Sequence, residues 1–127
     1  MVIFYVDDDP EELEFFCAAL KIVNKTTECI TATDPQEALN TLERRPYPDF
    51  IFLDLNMPKI HGKDFLMKLK QHPSLNAIPV IIYSNAVSEK ESENLRELGA
   101  SAIVNKRYDI VQLTTQLKKV LLYCKSE

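Results

Sequence analysis

Two segments of this chain are apolar without interruption, and that pattern narrows the folds open to it. Val2-Ile3-Phe4-Tyr5-Val6 and Phe50-Ile51-Phe52-Leu53 lack the apolar–polar alternation of a strand with one wet face. Both are rich in β-branched and aromatic residues and too short to be helices, so they read as strands covered on both sides. Strands of that kind belong to parallel sheets, whose crossovers lay helices over each face. At 127 residues and 46% hydrophobic content, the expectation is one compact domain over residues 1–127 with no separate output domain.

The rest of the chain keeps the same rhythm. Asp9 before Pro10, with Glu12 three positions on, starts a helix whose Leu13, Phe16, Cys17 and Leu20 share one face. A weaker strand follows over residues 28–32. Asp34-Pro35 then opens a second helix with Ala38, Leu39 and Leu42 inward. A proline-broken turn over residues 44–48 leads into the Phe50 strand. Gly62 marks a bend before a helix striped by Phe65, Leu66 and Leu69, which stops short of Pro73. Val80-Ile81-Ile82-Tyr83 is a further buried strand ending in Ser84. Ser88 and Glu91 form a capping box, and the helix they open closes at Gly99. Ile103-Val104 is a short strand ending near Lys106. Asp109 caps a last helix with Ile110, Leu113, Leu117, Val120 and Leu121 in step. Five strand–helix alternations predict an α/β fold with right-handed crossovers and helices on both sides of a parallel sheet. The order of the strands is not readable from the pattern.

Composition removes several classes of function. Net charge is −4 with no basic tract, so nothing suggests a nucleic-acid footprint. The opening apolar run is too short for a signal peptide or a membrane span. Cys17, Cys29 and Cys124 are odd in number and widely spaced, which reads as free or incidental thiols of a reducing compartment, the cytoplasm.

In a parallel sheet every strand ends at the same edge, where such folds bind their ligands. Asp7 and Asp8, Asp54, Ser84 and Lys106 all fall at or just beyond strand ends. Singly, each has a plainer role: helix-start charge, turn residue, exposed lysine. Together they would fill one crevice from distant parts of the chain. Carboxylates so gathered repel by roughly 4 kcal/mol per pair at contact and moderate dielectric. They call for a cation, and clustered hard oxygens suit Mg²⁺. Asp54 is then the expected nucleophile toward phosphorus, with Lys106 and Ser84 on the phosphoryl oxygens. Asn56 is placed to offer its backbone carbonyl to the ion and its side chain to a hydrolytic water.

These residues give the chain a likeness. With Val6-Asp7-Asp8-Asp9, Phe52-Leu53-Asp54-Leu55-Asn56-Met57-Pro58, Gly62, Ser84, Leu98-Gly99-Ala100 and Lys106, it resembles the receiver domain of two-component response regulators, in the stand-alone, chemotaxis-receiver manner. The resemblance implies a five-stranded flavodoxin-like fold and a Mg²⁺ site of Asp7, Asp8, Asp54 and the Asn56 carbonyl. It implies that Asp54 accepts a phosphoryl group from a phosphohistidine on a sensor histidine kinase or histidine phosphotransfer protein. Such a domain promotes its own phosphorylation and dephosphorylation and is not a turnover enzyme. Ser84 and Lys106 would report the phosphoryl group to an unknown output protein through the fourth helix, fifth strand and fifth helix.

Three positions depart from the family pattern: Arg107 replaces the usual proline after the lysine, Ile103 the usual aromatic switch, and Asn85 the usual small residue. A cis bond before Arg107 would be costly. Asn85 is expected to narrow access to Asp54. The alternatives are a phosphate-insensitive interaction module and a phosphorelay intermediate. A haloacid-dehalogenase-type phosphohydrolase would need an acid where Asn56 stands. A cofactor binder would not place aspartates where a phosphate must sit. His61 is read as an exposed loop residue, and His72 as a helix-end residue suited to the dipole.

Overall fold

A computed structural model describes residues 1–57, 61–106 and 109–125, of which the side chains of 124 and 125 are not described. Pro58, Arg107 and the side chain of Cys124, each of which figures in the sequence reading, lie outside this description. The chain runs β1 (Val2–Val6), α1 (Pro10–Val23), β2 (Glu28–Ala32), α2 (Pro35–Leu42), β3 (Phe50–Leu53), α3 (Gly62–Gln71), β4 (Val80–Ser84), α4 (Glu89–Glu97), β5 (Ala102–Asn105) and α5 (Ile110–Lys125). All strands pair in parallel in the order β2-β1-β3-β4-β5. This is the flavodoxin-like fold, and its strand order reverses between β1 and β3, so a crevice opens there at the carboxyl ends.

Alternation along each strand decides which helices it meets. Ile3 and Tyr5 join Phe50, Phe52, Ile81, Tyr83 and Val104 beneath α1 and α5, whose Leu13, Phe16, Leu20, Leu113 and Leu117 complete that half of the core. Phe4, Val6, Ile51, Leu53, Val80 and Ile82 face the other way, against Leu42, Phe65, Leu66, Leu69 and Leu95 of α2, α3 and α4. Each such side chain contributes about 1.5–3 kcal/mol by leaving water. Both faces are covered, so the central strands need no polar positions.

The helix starts follow the sequence. Asp9, Asp34 and Ser88 accept from amides of their first turns, and Ser88 and Glu91 close a capping box. His61 is exposed in the loop before α3 and His72 stands at the end of that helix, as read, and each also caps it. His61 is the N-cap of α3, with Nδ1 accepting from the Lys63 amide at 3.2 Å. His72 caps the other end, where its Nδ1 accepts from the Ser74 amide at 3.1 Å. The free-thiol reading of Cys17 and Cys29 is corrected, because the two are bonded to each other. α1 returns over the β1–β2 pair and brings their Cα atoms to 5.9 Å across twelve residues, a proximity that spacing alone does not reveal.

Candidate functional site

The alternation that builds the core also aims the polar residues. Asp7 follows Tyr5 by two, Asp54 follows Phe52, and Lys106 follows Val104, so each continues the series facing α1 and α5. The ladder runs one step beyond the strands to hold them. The Asp7 amide donates to the Ala32 carbonyl (3.1 Å), that of Asp54 to Val6 (3.1 Å) and that of Lys106 to Ser84 (3.0 Å). Carboxylate oxygens of Asp7, Asp8 and Asp54 lie within 4.8 Å of one another. Asp7 and Asp54 are only 1% and 4% exposed, whereas Asp8 is open to solvent.

Lys106 spans the two buried acids. Its Nζ is 2.8 Å from Asp7 Oδ2 and 3.5 Å from Asp54 Oδ1, with the Tyr83 ring 5.8 Å away as a wall. Burial pulls the ammonium toward deprotonation. The hydrogen bond to Asp7 and the charges of Asp54, Asp7 and Glu12 outweigh it and hold the pKa above the ordinary lysine value. Asp54 moves up from the usual carboxylate value. Burial is the main cause and the Asp7 charge adds to it, against opposition from Lys106 and the Asn56 amide. The pocket thus holds more negative charge than one lysine neutralises.

Ser84 ends β4 at the same edge of the sheet. It is fully buried, and its Oγ has no hydrogen-bond partner among the described residues, a costly state unless a ligand oxygen meets it. Asn56 is exposed in the turn just past Asp54. Gly62 packs directly on that turn: its amide donates to the Leu55 carbonyl at 2.8 Å, and a Cβ there would lie 2.6 Å from the Asp54 carbonyl oxygen. Its role is close backbone approach, more than a bend. Ile103 is half-buried and lines a shallow hollow with Arg96, Lys119 and Tyr123 on the α4, β5 and α5 side.

The structure therefore brings Asp7, Asp8 and Asp54 together and pairs Lys106 with Asp7 and Asp54. It adds one residue the sequence reading left in the core. The Tyr5 hydroxyl donates to Asp7 Oδ2 at 2.5 Å, and burial, with the Asp7 charge next, pushes its pKa far above the usual tyrosine value. The signal for it was there: a side chain with a polar tip two residues before Asp7 faces the same way.

A trio of converging carboxylates at the reversal point of a doubly wound sheet, with an excess of negative charge and a hard-oxygen donor set, fits a divalent metal site. The chain belongs to the response regulator receiver domain family, whose profile matches residues 3–118. It is 34% identical to the chemotaxis protein CheV3 of Helicobacter pylori over 99 residues, covering 71% of this chain and 32% of CheV3. It is 29% identical to the response regulator Rcp1 of Synechocystis over 118 residues, 88% of this chain and 80% of Rcp1. The crystal structure of the Mn²⁺-bound form of Rcp1 superposes with a TM-score of 0.80 at 27% identity, over 94% of this chain and 91% of that one. The phosphorylated cyanobacterial phytochrome response regulator RcpA gives 0.83 at 28% identity, over 94% and 90%. This chain is thus a response-regulator receiver domain, spanning about a third of CheV3 and most of Rcp1. Among the described residues no helix is long and apolar enough to cross a membrane.

Proposed function

We propose that Asp54 accepts a phosphoryl group from a phosphohistidine, on a sensor kinase or a phosphotransfer protein, and that the product changes what the α4–β5–α5 face binds. One Asp54 carboxylate oxygen forms the new P–O bond as the P–N bond to the donor imidazole breaks. The leaving nitrogen takes a proton from solvent. Asp7, Asp8, Asp54 and the Asn56 backbone carbonyl are the residues that would hold Mg²⁺. When bound, the ion offsets the negative charge of the incoming phosphoryl oxygens. Lys106, already poised between Asp7 and Asp54, shifts to one phosphoryl oxygen, and the Ser84 hydroxyl donates to another. The Asn56 side chain aligns the water that later cleaves the acyl phosphate. So used, the domain carries a signal and is not a turnover enzyme. Mn²⁺ in Rcp1 and phosphate on RcpA, both over 25% identical to this chain, support the same chemistry here. The Cys17–Cys29 bond removes the thiol argument for a reducing compartment, so a cytoplasmic location rests on the kinase chemistry alone.

The observation behind this proposal is the convergence of three carboxylates, two of them within reach of one lysine, at the sheet edge where β4 ends in a buried serine hydroxyl without a partner among the described residues. Incubation with acetyl phosphate and Mg²⁺, or with a phosphorylated histidine phosphotransfer protein, tests it. The expected product is a hydroxylamine-labile, Mg²⁺-dependent mass increase on the peptide containing Asp54, absent from Asp54→Asn. Equal labelling of the variant would refute it.

A further inference from the structure

We propose that Tyr5 is a positioning residue for the acidic pocket: its hydroxyl fixes the Asp7 carboxylate in the orientation that serves Mg²⁺ and keeps it there when Lys106 leaves for the phosphoryl group. The proposal rests on the reading of the pocket as a metal and phosphoryl site.

Asp7 accepts from three directions. Oδ1 takes the Asp9 amide at 3.0 Å, while Oδ2 takes both the Tyr5 hydroxyl at 2.5 Å and Lys106 Nζ at 2.8 Å. These donors differ in how far they can move. Lys106 lies on a long side chain and already shares itself with Asp54, 3.5 Å away. A phosphoryl group on Asp54 draws that ammonium off Asp7. The Asp9 amide holds only the other oxygen. Tyr5 sits on a central strand with no exposed surface, its ring 4.4 Å from that of Phe16 and 5.6 Å from that of Tyr83. It cannot follow Lys106, so its bond to Oδ2 survives the transfer. A tyrosine among packed rings is otherwise a poor choice of core residue, since a buried hydroxyl is costly unless it finds an acceptor. Here the acceptor is the Asp7 carboxylate.

With Phe at position 5 the packing is nearly unchanged but Oδ2 is held by Lys106 alone. The carboxylate then swings with the lysine. Loss of one such supporting bond to a ligand carboxylate lowers metal affinity about 10- to 100-fold.

Mg²⁺ is titrated into wild type, Tyr5→Phe and Phe16→Leu, followed by the amide resonances of Asp8 and Asp54, and the unfolding midpoints are measured in EDTA. Phe16→Leu disturbs the same ring stack without touching a carboxylate. The expected result is a Mg²⁺ Kd at least tenfold weaker in Tyr5→Phe, with Phe16→Leu within twofold of wild type despite a lower midpoint. A Tyr5→Phe Kd within twofold of wild type, or an equal weakening in Phe16→Leu, overturns the assignment and leaves the metal site standing. A wild-type chain that binds no Mg²⁺ overturns the metal site and the Tyr5 assignment together.

Discussion

Gly62→Ala is a one-carbon change aimed at the backbone that carries Asp54. The new Cβ would stand 2.6 Å from both the Asp54 carbonyl oxygen and the Leu55 Cα, where ordinary contact begins near 3.4 Å. Neither neighbour is a side chain that can rotate away, so the β3–α3 turn must open by about 0.8 Å. Opening by that much stretches the 2.8 Å bond from the Gly62 amide to the Leu55 carbonyl beyond useful length. Overpacking of this kind costs about 1–3 kcal/mol and the lost bond about 0.5–1.5 kcal/mol. The sum, roughly 2–4 kcal/mol, lowers the midpoint of thermal unfolding by on the order of 10 °C in a domain of this size. Because the displaced atoms belong to Asp54 and Leu55, Mg²⁺ affinity and phosphorylation rate fall as well. Gly99→Ala is the matched control. There φ is +113°, a left-handed conformation that costs a residue with Cβ about 1–2 kcal/mol, and the new methyl meets only the flexible stem of Lys70. It lowers the midpoint but leaves Mg²⁺ affinity unchanged. A Gly62→Ala protein that melts within about 2 °C of wild type and binds Mg²⁺ equally well would refute the close-approach argument.

Three further outcomes follow from the pocket. Asp54 has its pKa raised by burial and by Asp7, so the folded state holds this proton more tightly than the unfolded chain. The stability so gained is present below the unfolded value of about 3.9 and is lost as pH rises through the raised folded value. In EDTA, Asp54→Asn is therefore more stable than wild type at pH 7, and the gap narrows toward pH 4; chemical unfolding across that range showing no gap contradicts this. Lys106→Met leaves two buried carboxylates facing each other and destabilises the metal-free chain by about 3 kcal/mol or more, a loss that Mg²⁺ partly reverses. Thermal melts with and without the ion read both effects, and a variant as stable as wild type in EDTA argues against an energetic role for the pair. Asn85 is exposed directly after Ser84, and Asn85→Ala is expected to raise the rate of labelling by acetyl phosphate. An unchanged rate removes Asn85 as a gate.

Much of the fold was legible because buried strands and capped helices leave local marks. Val2–Val6 and Phe50–Leu53 announce two covered faces, and Ser88 with Glu91 forms the capping box that its spacing predicts. Strand order left no such mark, since β1 pairs with β3 through a crossover whose route is fixed by sheet twist and packing rather than by any short motif. Cys17 and Cys29 failed for the same reason: their meeting depends on how α1 lies over β2. Asp7, Asp54 and Lys106 were legible as strand-end residues because a parallel sheet forces its ends together. Tyr5 was hidden by its own aromatic body, which satisfies the apolar pattern and conceals the hydroxyl at its tip. The capping role of His61 was hidden because a ring nitrogen seldom serves as an N-cap, a place usually taken by Ser, Thr, Asp or Asn.

The claim underneath all of this is that side chains from β1 and β3 share a single divalent ion. Anomalous diffraction from a crystal grown with Mn²⁺, collected at the manganese edge, tests it most directly. The account predicts one peak per chain, within direct coordination distance of Asp7, Asp8 and Asp54. A peak elsewhere on the surface, or none at an ion concentration that saturates Rcp1, would contradict it.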